Sequence, residues 1–156
     1  MTDKKSLKRN KNLVVFSKEH YHGLVFSNHL KMASKATDDI LKLYIADFWD
    51  NHLKSHFKNE EVLLLPLMAE GNQRKQFVHE HFVIENQINQ IKDAEINVQQ
   101  QAIELGQLIN NHIRFEERVL FPWLEKTLTS NQLIKIGEGL KDNSTVHCFY
   151  PEFWKF

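Results

Sequence analysis

Histidine and glutamate stand four residues apart in HFKNEEVLLLP, residues 56–66, and again in HIRFEERVLFP, residues 112–122. The pairs are His56 with Glu60 and His112 with Glu116. On a helix, positions i and i+4 lie one above the other on one face. The neighbours at helical spacing are apolar: Trp49, Leu53, Phe57, Leu64 and Leu67 around the first pair, and Leu105, Leu108, Ile109, Val119, Leu120 and Trp123 around the second. The pairs therefore interrupt a core stripe. A buried carboxylate without a partner costs several kcal/mol, so each Glu needs a counter-charge or a metal. One such pair alone reads as a surface contact worth a few tenths of a kcal/mol. Its recurrence in one eleven-residue frame favours a shared site.

A second repeat lies upstream of each pair. KEHYHG carries Glu19-His20-Tyr21, and HEHFVI carries Glu80-His81-Phe82. Each half thus reads EH-aromatic and then HxxxEE. This register selects His20 and His81 as ligands, with His22 as the alternative to His20 and His79 as a surface residue. His20 also falls on the stripe of Leu13, Phe16 and Leu24, whereas His22 lines up with a surface His29. The candidate ligand set is His20, His56, Glu60, His81, His112 and Glu116. Imidazole and carboxylate without sulfur suit iron, zinc or manganese. The two Glu residues can each bridge two ions, with His20 and His56 ending on one and His81 and His112 on the other. Octahedral ions then keep positions for an oxo bridge and for an exogenous ligand such as oxygen. His52, one turn before His56, is either a partner behind the ligands or an additional one. Glu61 and Glu117 fall behind the ligands or in solvent, and His147 lies in the tail away from them. No spacing fixes Tyr21 or Tyr44.

Positioning these groups requires long helices. Only five Gly and three Pro punctuate the chain, and apolar residues recur at spacings of three and four. The pattern predicts an all-α, up-down-up-down antiparallel four-helix bundle with a short extra C-terminal helix and an aromatic tail. The helices are expected over about 13–36, 37–70, 73–92 and 99–128, with the short one over 131–140. Thr37-Asp38-Asp39 can cap the second and Ser130 the last. Pro66 and Pro122 mark matched breaks near the ends of the second and fourth. The tail, 141–156, is expected to strap Phe149, Tyr150, Phe153 and Trp154 over the bundle.

Composition narrows the function. With 156 residues, the chain is expected to form one domain over 1–156, its core about 13–130. The formal net charge is zero, which argues against nucleic acid. A lone cysteine, Cys148, excludes an intrachain disulfide and a thiolate cluster and fits a reducing cytoplasm. The basic N-terminus carries an apolar run only from Leu13 to Phe16, too short for a signal-peptide core. The longest apolar run, Val62 to Ala69, falls short of the about 20 residues a membrane helix needs. A soluble cytoplasmic protein without membrane or nucleic-acid partners is expected.

The segments LVVFSKEHYHGLVF, FWDNHLKSHFKNEEVLLLP and HIRFEERVLFPWLEKTL together resemble the hemerythrin-like family, or HHE cation-binding domain. The likeness runs over about 13–130, and the repeated HxxxEExxLxP is its specific part. The resemblance implies a four-helix bundle holding two iron ions in a non-haem di-iron centre. Its members bind or sense oxygen, or handle iron and nitric oxide stress. A small diatomic ligand is the partner this implies. A di-iron oxidase, a peroxide or nitric-oxide scavenger or an iron donor for repair would use the same ligands, and a structural bundle is the third reading. Two departures from the oxygen carriers stand out. Those have HxxxH on the third helix, where His81 is here followed by Glu85, and HxxxxD on the fourth, where this chain has HxxxE. Glu85 is then a candidate to replace the missing imidazole, and oxidation is favoured over stable oxygen carriage.

Overall fold

The structure, a computed structural model, describes residues 8–140 and 148–155. Four helical rods run up, down, up and down. The first is α1, Val14–Leu30. The second joins α2, Asp38–Phe48, to α3, Lys54–Leu63, through a π-helical turn at Trp49–Leu53. The third is α4, Asn72–Asp93. The fourth joins α5, Val98–Phe115, to α6, Phe121–Thr127, through a second π-helical turn at Glu116–Leu120. The short α7, Ser130–Gly139, follows. Helix α5 packs against both α1 and α4.

Local chemistry sets several boundaries. Helix α1 stops at Leu30 rather than near Ala36, and a 3₁₀ turn at Ala33–Lys35 completes the corner. Thr37 caps α2 by accepting from the Ile40 N–H. Thr129, not Ser130, caps α7, in a reciprocal capping box with Gln132. The prolines differ in role. Pro66 sits in a 3₁₀ turn, Leu65–Leu67, after α3 has ended. Pro122 directly follows the second π turn inside the continuous fourth rod, and the Glu117 carbonyl one turn before it accepts from Arg9.

Each π turn adds one residue and so changes which positions face inward. In the second rod the buried positions Leu41, Tyr44, Ile45 and Phe48 give way to Leu53, His56, Phe57 and Glu60. The step from Phe48 to Leu53 is five residues, where an unbroken helix would bury His52. In the fourth rod, Phe121 and Leu124 become buried, whereas Val119, expected in the core stripe, is exposed. Leu24 is also exposed, because Gly23 and Ser27 take the inward positions of α1. Close approach of α1 to α5 explains the small residues there: a Cβ on Gly106 would lie 3.1 Å from the Ser27 carbonyl oxygen.

The core falls into two apolar clusters. One gathers Phe26, Leu41, Tyr44, Phe48, Ile88 and Leu105, and the other Leu13, Phe16, Phe77, Leu120, Phe121 and Leu124. Phe149 and Trp154 pack against the first cluster and Phe153 is buried in it. Tyr150 instead points outward and is exposed, contrary to the expected strap. The other tail positions through His147 lie outside the described residues.

Candidate metal centre

Four rods deliver six polar side chains to one buried layer. His20 comes from α1, His56 and Glu60 from α3, His81 from α4, His112 from α5, and Glu116 from the π turn that follows. None is more than 5% exposed. Their atoms form two interlocking groups, His20-His56-Glu60-Glu116 and Glu60-His81-His112-Glu116, with the donor atoms of each within 4.8 Å of one another. Both carboxylates belong to both groups. Glu60 turns Oε2 toward His56 Nε2 at 3.3 Å and Oε1 toward His81 Nε2 at 3.2 Å. Glu116 turns Oε1 toward His20 Nε2 at 2.8 Å and Oε2 toward His112 Nε2 at 3.3 Å.

Behind each imidazole stands another carboxylate. Nδ1 lies 2.6 Å from Glu117 in His20, 2.9 Å from Glu19 in His56, 2.7 Å from Glu61 in His81 and 2.8 Å from Glu80 in His112. An ionised carboxylate only accepts, so Nδ1 must donate. This fixes each ring with Nε2 directed into the layer, the arrangement that orients a histidine for metal binding. Glu117 is itself held by Ser17 Oγ at 2.8 Å and by Arg9, whose guanidinium also reaches Glu125 at 2.9 Å.

The inward atoms test whether a metal fits. The Nε2 atoms of His56, His81 and His112, both oxygens of Glu60 and Oε2 of Glu116 are buried without a hydrogen-bond partner. Leaving one buried polar group unsatisfied costs about 1–3 kcal/mol. Six such atoms converging on one layer are a heavy cost for a protein core. Cations set between them would satisfy all of them. The donor set is nitrogen and oxygen only, which suits iron, zinc or manganese.

The family model of the hemerythrin HHE cation-binding domain matches residues 24–124. The chain belongs to the hemerythrin HHE cation-binding domain family. No curated protein and no solved structure matches it. The family match covers His56, Glu60, His81, His112 and Glu116 but begins after His20, which stands among the candidate ligands on the internal repeat and its place in the buried layer. The helical bundle and the buried His/Glu cluster make this a metal-binding hemerythrin-like fold.

Without metal, the hemerythrin layer behaves as a lattice of ion pairs. Burial alone pulls the His56 pKa down, but the charge of Glu60 and the hydrogen bond to Glu19 outweigh it and lift the value to about 9. Burial likewise opposes the rise at His81, where Glu116, Glu60 and Glu61 lift it to about 11. His20 and His112 are raised against burial for the same reason, through Glu116 with Glu117 and Glu116 with Glu80. Burial and the neighbouring Glu116 push the Glu60 pKa up, yet His56 and His20 win and hold it at about 2.

The remaining candidates fall outside the two groups. His52 stacks on His56 with ring centroids 6.2 Å apart, and His22 meets His52 edge-on at 5.1 Å. Neither enters the ligand groups. Glu85 is exposed on the outer face of α4 and does not replace an imidazole. Glu61 and Glu117 lie behind His81 and His20, one of the two positions expected for them. His79 is exposed, as expected. His29 is not a surface residue: Nδ1 lies 2.6 Å from the Tyr44 hydroxyl, and Trp154 stacks on its ring at 3.6 Å. Tyr44 is thereby committed to the tail, and Tyr21 is exposed. The sequence reading missed the roles of Glu19 and Glu80, although their place immediately before His20 and His81 in the repeated EH was the available signal.

Proposed function

We propose that the chain is a non-haem di-iron protein that binds or senses oxygen or a related diatomic such as nitric oxide. The observation that carries this reading is that both buried carboxylates belong to both ligand groups. A carboxylate with one oxygen in each group is the natural bridge between two like ions, whereas one structural zinc would use a single closed set. His20 and His56 would hold one ion, His81 and His112 the other, with Glu60 and Glu116 across both. Bound iron supplies redox chemistry and open coordination positions for a small ligand.

The chain's own residues prepare the site. Glu117, Glu19, Glu61 and Glu80 each hold one imidazole in the ligating tautomer. The same carboxylates stabilise the imidazolium form, so metal must displace protons as it binds. Phe16, Phe57 and Phe115, all buried, limit water around the layer. Anaerobic iron reconstitution followed by elemental analysis tests the reading, with about two irons per chain expected from a two-metal site. Absorption spectra of the reduced protein under oxygen and nitric oxide should then change. A chain that takes up no iron overturns the proposal, and a single zinc in its place favours a zinc-binding bundle.

A further inference from the structure

The outer sides of the two halves of the metal layer are unequally covered. A cavity of about 250 Å³ reaches His81 from outside. Buried Phe57 and Phe77 line its inner end, and the exposed Val78, Phe82, Glu61 and Glu85 surround its mouth.

The internal repeat supplies the comparison. At the equivalent place beside His20, Glu117 stands for Glu61 and Phe121 for Leu65. Phe121 lies flat on the His20 ring, with centroids 5.6 Å apart. Arg9 in turn covers Phe121 at 5.4 Å and binds Glu117, which Ser17 also holds. The groove on that face, lined by Leu24, Ile113 and Glu117, does not extend to His20. A void bordered by His20, His56 and His112, between the two halves, measures about 10 Å³, room for at most one water. The N-terminal segment and one aromatic ring thus cover the outer side of His20, whereas the cavity runs to the outer side of His81 and stops at Phe57 and Phe77, whose ring centroids lie 3.9 Å and 4.2 Å from the imidazole, with Nε2 buried beyond.

We propose that small uncharged ligands reach the centre at its His81–His112 half, through this cavity, and that Glu61 and Glu85 at the mouth disfavour anions. A 250 Å³ space lined by aromatic rings accommodates a diatomic molecule easily. Two carboxylates at its mouth repel an approaching anion but not oxygen or nitric oxide. The inference rests on the di-iron reading for what the ligand meets, but the cavity exists without it.

Two experiments separate these parts. In the chelated, metal-free protein, dissolved oxygen under pressure enhances NMR relaxation of protons it can approach. Buried Phe57 and Phe77 should relax several-fold more strongly than Phe16 and Phe121, which pack around His20 and line neither the cavity nor the opposite groove. Equal enhancement overturns the proposal whether or not the chain binds metal. In iron-loaded protein, Val78→Trp should slow nitric oxide association at least about tenfold, because the ligand then waits on side-chain motion. Leu24→Trp, in the opposite groove, should leave the rate unchanged. Glu85→Gln should speed azide association about two- to threefold, the expected effect of one charge near the mouth. Metal content is measured for every variant. A wild-type nitric oxide rate in fully loaded Val78→Trp, or slowing by Leu24→Trp alone, overturns the route, and an unchanged azide rate overturns the charge selection.

Discussion

Glu19 Oε1 lies 2.9 Å from His56 Nδ1, so the residue just before one ligand orients a ligand on the next rod. Glu80 does the same for His112 at 2.8 Å. The duplicated EH dipeptide therefore has two jobs: its His faces the metal layer and its Glu fixes a neighbouring imidazole. Removing such a partner typically costs about 10–100-fold in metal affinity. Glu19→Ala and Glu80→Ala should each weaken metal binding by this order in competition with a chelator, while circular dichroism stays helical. Unchanged affinity in both would show that these contacts do not orient the ligands.

Glu60 and Glu116 are shared by both ligand groups, so neither ion should survive the loss of either. Glu60→Ala and Glu116→Ala are each expected to lose both metals by elemental analysis. His52→Ala should retain them at near-normal occupancy, since His52 only stacks behind His56. Metal loss in His52→Ala as complete as in His56→Ala would add His52 to the ligands.

The pH dependence of the metal-free protein follows from the ion pairs. His56 and His81 bind protons more tightly folded than unfolded, with values lifted from 6.5 to about 9 and about 11. Their stabilisation is complete below pH 6.5 and is lost as pH rises through those folded values. Glu60, held at about 2 against 4.5, stabilises fully above pH 4.5 and loses that contribution as pH falls toward 2. The thermal midpoint of the metal-free chain should therefore peak between pH 4.5 and 6.5 and decline on both sides. Metal binding should show the opposite trend on the alkaline side: affinity rises with pH because protons must leave the imidazoles. Calorimetry in buffers of different ionisation enthalpy would detect that release.

Oxygen should oxidise the ferrous protein without being recoverable. Helix α4 offers the layer only His81, and Glu85 faces outward, so the nitrogen supply is two imidazoles for each ligand group. Stopped-flow mixing with oxygen should give near-ultraviolet ferric absorption that persists under vacuum. Release of oxygen with return of the ferrous spectrum would instead place the chain among the reversible carriers.

How much of this was legible in the sequence depended on helical phase. The i, i+4 spacing and the duplication single out His20, His56, Glu60, His81, His112 and Glu116, and these six side chains meet in one layer. Periodicity failed wherever the phase slips. Val119 read as core because the π turn at Glu116–Leu120 cannot be seen in a regular wheel. Leu24 read as inward because the demand for small residues at Gly23 and Ser27 comes from a neighbouring rod. Glu19 and Glu80 were visible as letters but not as partners, since a residue one position before a ligand points about 100° away and its target is set by tertiary packing. Arg9 lay in a lead-in without periodicity, and only the fold brings it to Glu117 and Phe121.

The five-residue step between Phe48 and Leu53 makes the second rod a splice of two faces that no straight helix could present together. Winding Trp49–Leu53 as ordinary α-helix with every residue kept would turn one part of the rod by about 100° against the other. The Tyr44–Phe48 surface would then stay buried only by swinging His56 and Glu60 out of the metal layer, or the reverse. The bulge works as a fixed offset between two machines on one shaft: the end that grips the tail and the end that grips the ions are timed to each other by one inserted residue.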